Sequence, residues 1–235
     1  MDYPAINSVS GSASRNRDAI LQALQNYFEA YENGHILEIS SGGGEHVVAM
    51  ARRWPNIDFW PSERNEEQLR FLSNGIAQSK GESALENLRT PVQLDVTSQS
   101  DWTSLQEQFQ TRTVSRVTGV VICNLLHCSP SRTQEDIFSH LGEDGTKQST
   151  ELVEEGGWIA IYGAFLKDDG NFASEGDEKF DQRFKGLHSA FGLRRIPDVE
   201  HVAGKYGFAL EKRIPMPAGN WMLVFRRRAV KGNEV

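Results

Sequence analysis

The chain of 235 residues suits one α/β domain with a full core, and 38% hydrophobic and 24% charged residues are ordinary for a soluble globular protein. A net charge of −7 argues against nucleic acid as the main partner, because phosphate binding needs a basic face. No apolar run reaches the length of about 18 residues that a membrane span needs, the opening Met1-Asp2-Tyr3-Pro4 lacks a secretory pattern, and two cysteines, Cys123 and Cys128, fit a reduced cytoplasmic protein.

Residues 1 to about 13 are polar and Ser-rich. Over 17–31, the apolar positions Ile20, Leu21, Leu24, Tyr27, Phe28 and Tyr31 predict an amphipathic helix, stopped by Asn33-Gly34. Residues 35–39 read as a buried strand and Gly42-Gly43-Gly44 break it; 47–54 then read as a helix. A strand, a glycine turn and a helix form the first half of a nucleotide-binding βαβ unit, in which bare Cα atoms let a ligand approach the backbone. A dinucleotide fingerprint fails, because its third glycine would fall on Val47. A phosphate-binding P-loop fails too, because no lysine follows the glycines. Glu38 lies inside the strand, four positions before Gly42.

A second strand, 57–60, runs into Pro61-Ser62-Glu63. A carboxylate just past strand two is placed to accept hydrogen bonds from two ribose hydroxyls; the alternative is a cap on the helix that begins near Glu66. That helix carries Leu69, Leu72 and Ile76. The stretch 91–97 is a short apolar strand ending in Asp95, which by itself is also common turn chemistry. Trp102, Leu105 and Phe109 mark another half-buried helix, and 119–124 is apolar throughout, as a central parallel strand should be.

Residues 134–152 are read as helical but broken at 142–145, a surface insertion. Glu154-Glu155-Gly156-Gly157 is read as the turn before strand five, 158–162. The polar segment 166–197 shows no core pattern and is read as a substrate-side loop with short helices. Asp198 is expected to cap a helix over 199–206. Two closing strands, 208–214 and 221–225, are expected to pair antiparallel, with Arg226-Arg227-Arg228 ending the last one in solvent.

The pattern apolar-apolar-acid-apolar-small-x-Gly-x-Gly over 36–44 resembles motif I of the class I S-adenosylmethionine (SAM) methyltransferases, with Ser40 where most members have their first glycine. The resemblance implies a Rossmann-like α/β fold. Its sheet has seven mostly parallel strands and a C-terminal antiparallel hairpin, with helices on both faces. It implies that Ser40, Ser41, Gly42 and Gly44 lie against the methionine part of SAM and that Glu38 fixes the loop or the amino group. It further implies that Glu63 holds the ribose, that Asp95 takes the adenine amino group, and that the backbone N–H of Val96 serves the ring. The turn Asn124-Leu125 then lies beside the transferred methyl group. The Asn/Asp-Pro-Pro-aromatic signature of enzymes acting on planar nitrogens is absent there.

Several strings also resemble one small family of uncharacterised methyltransferase-like proteins. They are Ser12-x-x-Arg15-Asn16, Glu38-Ile39-x-Ser41-Gly42-x-Gly44-x-His46, Asn124-x-x-His127-x-Ser129-Pro130, Tyr162-Gly163-x-Phe165, Phe180-Asp181, Gly192-x-Arg194 and Met216-Pro217-Ala218-x-Asn220. Departures gather on the expected substrate side. Phe191 stands where the pattern has Trp, Arg195 where it has Asp, Gly219 where it has Asn, and Glu175-Gly176 near an expected Ser-Asn pair.

The expectation is therefore a single SAM-methyltransferase-like domain over 1–235, with 1–16 as a lid and 166–197 as a substrate-side loop. SAM is the cofactor, and the methyl acceptor is an oxygen or sulfur of a small molecule. Arg15 and Asn16 would close over the site, and His46 would cover the cofactor carboxylate or lie on the surface. His127 would act as a general base or orienting group, or else make a structural hydrogen bond. Tyr162, Phe165, Phe180, Asp181, Arg194 and Asn220 would face the substrate. No metal, nucleic acid or membrane partner is expected, and the chain would be a monomer or homodimer. Two other readings stay open: a methyltransferase-fold enzyme catalysing a non-methylating cyclisation or rearrangement, and a non-catalytic SAM-binding adaptor.

Overall fold

The computed structural model describes residues 3–4, 6, 11–81, 84–143 and 150–228. Among the described residues there are nine strands and seven α-helices. They run α1 (Ser12–Glu29), β1 (Gly34–Ile39), α2 (Glu45–Arg53), β2 (Ile57–Glu63), α3 (Glu66–Lys80), β3 (Val92–Gln93), α4 (Gln99–Gln110), β4 (Val117–Cys123), α5 (Thr133–Leu141), β5 (Val153–Gly163), β6 (Phe165–Leu166), α6 (Glu175–Leu187), β7 (Arg194–Arg195), α7 (Ile196–Lys205), β8 (Phe208–Pro215) and β9 (Trp221–Arg227).

Seven strands form one sheet in the order β3-β2-β1-β4-β5-β9-β8. β1 to β5 run parallel to their neighbours, while β9 runs antiparallel to both β5 and β8. This is the seven-stranded, mostly parallel Rossmann-like sheet with a C-terminal antiparallel hairpin, the class I methyltransferase fold. β6 and β7 make a separate short parallel ladder, Phe165 opposite Arg194.

Because side chains alternate along a strand, each central strand feeds two cores. Leu37, Ile39, Val120, Ile122, Ile159 and Ile161 pack under α4, α5 and α7. Ile36, Val121, Trp158, Ala160 and Tyr162 pack under α1, α2 and α3. The same alternation puts Glu38 and Cys123 on the α1/α2 face, where they reach the carboxyl edge of the sheet.

Several elements differ from the sequence reading. β2 continues through Pro61 and Ser62 to Glu63, and β3 is only two residues long. Glu154 to Gly157 lie within β5, which begins at Val153 and absorbs a register shift opposite Val117–Gly119. The expected break at 142–145 is described only to Glu143; residues 144–149 lie outside the described set.

Segment 166–197, expected as a loop with short helices, contains a 13-residue helix and several buried side chains. Ser174 caps the 13-residue helix α6 by accepting from the Asp177 N–H at 3.1 Å, and Asp181, Phe184, Phe191 and Leu193 are buried. The periodicity was hidden because α6 buries only Asp181 and Phe184, one of them charged. Arg195, rather than Asp198, occupies the N-cap of α7, and its guanidinium meets the Asp198 carboxylate at 2.6 Å. Arg227 does not end β9 in solvent. It is 3% exposed, and its guanidinium bonds the Val153 carbonyl and, at 3.2 Å, the Glu151 carboxylate.

Candidate functional site

The carboxyl ends of β1 to β5 lie on one edge, where ligands bind in open α/β sheets. After Ile39 the chain turns through left-handed conformations at Ser40 (φ 60°), Gly42 (φ 59°) and Gly44 (φ 79°) and enters α2. A Cβ on Gly44 would come within 2.5 Å of Ile76 Cγ1, so the turn needs glycine there for space as well as for φ. From the other side, a Cβ on Gly75 of α3 would collide with the Gly43 carbonyl oxygen. Gly75 was not picked out from the sequence, although a glycine inside a helix pattern is a signal of close packing.

The turn is tied to the tip of β2. Gly42 donates its N–H to Glu63 Oε1 at 2.7 Å, the Ser40 hydroxyl reaches the same oxygen at 3.5 Å, and the Arg64 N–H donates to Glu63 Oε2 at 3.1 Å. The α3 cap is Asn65, whose Oδ1 accepts from the Gln68 N–H, so Glu63 does not cap that helix. Burial raises the Glu63 carboxyl above its usual range, while the Gly42, Arg64 and Ser40 bonds pull it back. Ser41 donates its N–H to the Ser62 carbonyl at 2.9 Å, and the Ser62 hydroxyl bonds the Glu38 carbonyl at 2.8 Å.

Behind the turn lie buried polar side chains. Glu38 is 1% exposed, and neither carboxylate oxygen has a hydrogen-bond partner among the described residues. Burial pushes its carboxyl up to about 8, the nearby Ser41 hydroxyl opposes the rise, and the Glu63 and Glu45 charges add to it. His46 is buried in the first turn of α2, and Nε2 lies 2.8 Å from Asn16 Oδ1 on α1. Burial pulls His46 down to about 4. Asn16 also meets the Tyr162 hydroxyl, tying α1 to the tip of β5. Arg15 is exposed on α1, with no hydrogen bond or ion pair among the described residues.

Ligating atoms of Glu38, His46 and Cys123 lie within 4.8 Å of one another. Metal–ligand bonds of about 2.0–2.3 Å would draw tetrahedral ligands to roughly 3.3–3.8 Å. The trio can sit wider than that, and burial drives both its thiol and its carboxyl toward the protonated forms.

On the opposite side of the turn a cleft of about 440 Å³ opens. Ile39, Ser40, Leu94, Val96, Leu125 and Cys128 line it from the strand tips, Arg64 and Gln68 from α3 and its approach, and Tyr3, Pro4 and Ile6 from the N-terminal segment. Asp95, at the rim, accepts from the Thr97 N–H at 2.9 Å and the Thr97 hydroxyl at 2.8 Å through Oδ1. Asn124 follows β4 at φ 59°, and its N–H donates to the Tyr162 carbonyl at 2.8 Å. Cys128, held up at about 12 by burial, donates its thiol to the Asn124 and Leu125 carbonyls.

His127 is buried beside this cleft rather than on its wall. Its ring lies edge-on to Phe180 and Phe184, with centroids 4.9 Å away in each case. A Cβ on Gly163 would stand 3.6 Å from Nδ1 and 3.8 Å from Asn124 Oδ1, so the tips of β4 and β5 meet there. Burial, then the Arg194 charge, lowers His127 to about 4, leaving a neutral imidazole at neutral pH.

The other expected substrate-side residues divide. Asp181 accepts from the Leu193 N–H at 2.7 Å and pairs with Lys185 at 2.6 Å. Arg194 spends its donors on the Ser129, Gly192 and Ala190 carbonyls. These two fasten α6 and the following turn to the β4 tip. Phe165 joins the core under α7. Asn220 closes the β8–β9 hairpin by donating to the Pro217 carbonyl at 3.0 Å.

Sheet order, glycine turn and edge cleft define a class I SAM-methyltransferase fold. Within that class the chain belongs to the family described as "Protein of unknown function (DUF938)", which it matches over residues 7–227. Among solved structures it is similar to an O-methyltransferase family protein from Burkholderia thailandensis, at 13% identity and TM-score 0.66, over 92% of this chain and 59% of that one. It is similar to the apo form of the S-adenosylmethionine-dependent methyltransferase SibL, at 18% identity and TM-score 0.62, over 92% and 56%. PigF with SAH aligns at 15% identity and TM-score 0.62, over 89% and 56%. The chain thus spans less than two thirds of the length of each, and at these identities the likeness is one of fold. Among the described residues no helix is long and apolar enough to cross a membrane.

Proposed function

We propose that this chain is a SAM-dependent methyltransferase acting on an oxygen or sulfur of a small molecule. One observation carries the reading: a single turn, Ser40 to Gly44, separates a largely apolar cleft from a buried carboxylate that has no hydrogen-bond partner among the described residues. Leu94, Val96 and Leu125 suit a flat adenine, and Glu63, already bonded through both oxygens, keeps lone pairs for ribose hydroxyls. Glu38, with His46 and Asn16 beside it, suits the methionine ammonium and carboxylate. The sulfonium then falls near Asn124, where β4 and β5 end.

SAM supplies an already electrophilic methyl group. The residues of this chain bind it, align the acceptor and keep water away, and such positioning is worth roughly 7–11 kcal/mol of barrier. His127, buried and lowered to about 4, is a weak base at neutral pH, so its neutral imidazole suits orienting an acceptor better than taking its proton, and a thiol acceptor has the least need of a base.

Titration calorimetry with S-adenosylhomocysteine (SAH) tests the cofactor site. Saturable one-to-one binding is expected, and no binding at high-micromolar concentrations sinks the proposal. The burial of His127 off the cleft wall favours a second reading, cofactor binding without methyl transfer. Mass spectrometry of acceptors incubated with and without SAM separates the two, because only transfer adds a methyl mass.

A further inference from the structure

Tyr3 and Arg64 are 61 positions apart, yet they form one wall of the cleft. The Arg64 guanidinium lies over the Tyr3 ring, 4.2 Å from its centroid, and Nη2 donates to the Tyr3 carbonyl at 3.0 Å. Tyr3 is 6% exposed, so its ring is held within the cleft wall. Its ring also stands edge-on to Phe191, with centroids 5.8 Å apart, in a cluster with Phe184, Ile6, Cys128 and Phe180. On the other side Tyr3, Pro4 and Ile6 face Ile39, Leu94, Val96 and Leu125 across the cleft.

Arg64 also follows Glu63 directly, and its own N–H bonds that carboxylate. Whatever engages Glu63 therefore shares a residue with the wall. A guanidinium stacked on an aromatic ring and hydrogen-bonded to its backbone is a specific contact, and lysine does not reproduce its planar geometry.

We propose that Tyr3 and Arg64 are a positioning pair that covers the adenosyl half of the cleft and sets how long a nucleoside stays bound. The proposal rests on the cofactor reading given above. The pair would hold the adenosyl group against Leu94 and Val96 and screen it from water. It would also stand as the partition between that group and the aromatic layer of Phe180, Phe184 and Phe191. Because the wall touches only the nucleoside half, it should act equally on ligands with and without an amino-acid end.

Calorimetry and stopped-flow measurements on the full chain would use SAH and 5′-methylthioadenosine, which lacks the amino-acid end. Tyr3→Ala and Arg64→Ala should each weaken both ligands by the same factor, about tenfold, mainly through faster dissociation. The double variant should be little worse than the worse single one, because the two side chains act as one contact. Tyr3→Phe should bind like wild type, and Arg64→Lys should not. Unchanged binding in both alanine variants, with wild type binding SAH, overturns this pair alone. A loss confined to SAH also overturns it, since that would place the effect at the methionine end. Wild type that binds neither ligand overturns the cofactor reading and this proposal together.

Discussion

Gly42 donates its backbone N–H to Glu63 Oε1 at 2.7 Å, so the carboxylate at the end of β2 holds the glycine turn that follows β1. The two features expected to grip opposite parts of one ligand are thus bonded to each other before any ligand arrives. A preformed turn loses less conformational entropy on binding.

Removing that acid should therefore disturb both the turn and the nucleoside. Glu63→Ala takes away charge-assisted hydrogen bonds worth ~1.5–3 kcal/mol each, and SAH affinity should fall at least tenfold. Calorimetry reads this directly. A variant that binds SAH as tightly as wild type removes Glu63 from the site.

Glu38 should make cofactor binding depend on pH. Its carboxyl is raised to about 8, and an ammonium group needs the ionised form. SAH affinity should rise with pH up to about 8 and then level off, and Glu38→Gln should flatten the curve. The stability effect has the opposite slope. A raised carboxyl contributes stability that is fully present below 4.5 and is lost as pH rises through about 8. A pH-independent SAH affinity in the wild type would show that Glu38 does not take the ammonium.

The two buried histidines act in the acid range. His46 and His127 are both lowered to about 4, so their contribution is present above 6.5 and lost as pH falls through about 4. Each is worth on the order of 3 kcal/mol over that window. Urea unfolding at neutral and acid pH should show His127→Leu losing less stability on acidification than wild type. Equal losses would mean that His127 is charged in the folded protein.

Gly75→Ala separates packing from helix propensity. Alanine is intrinsically better in a helix by about 0.8–1 kcal/mol. Here its Cβ meets the Gly43 carbonyl, and overpacking should cost about 1–3 kcal/mol instead. Gly186→Ala in α6 meets nothing within 4 Å and should be neutral or stabilising. Thermal melts compare the two, and SAH affinity should fall only for Gly75→Ala. A stabilised Gly75→Ala would show that α3 does not pack tightly on the turn.

Much of the fold was legible because alternation and helical spacing are local. Ile20 through Phe28 announce the helix face they bury, the apolar runs Ile36 to Ile39 and Val120 to Ile122 announce strands buried on both faces, and the observed helices and strands follow. The order of glycine turn, Glu63 and Asp95 was legible for the same reason, since each sits at a strand tip. Segment 166–197 showed no core pattern because α6 buries few apolar side chains and is fastened by Asp181 and Arg194, which carry no periodic signal.

By itself the sequence determined the alternation of elements, the break at the glycines and the carboxylates at the strand ends. These depend on backbone sterics and side-chain period over a few residues. Only the tertiary structure decided that Glu38 is buried, that Gly75 must be bare, that Arg227 is buried and that Tyr3 stacks on Arg64. Each depends on what another element presents after docking, and no local pattern encodes a contact between residues 3 and 64.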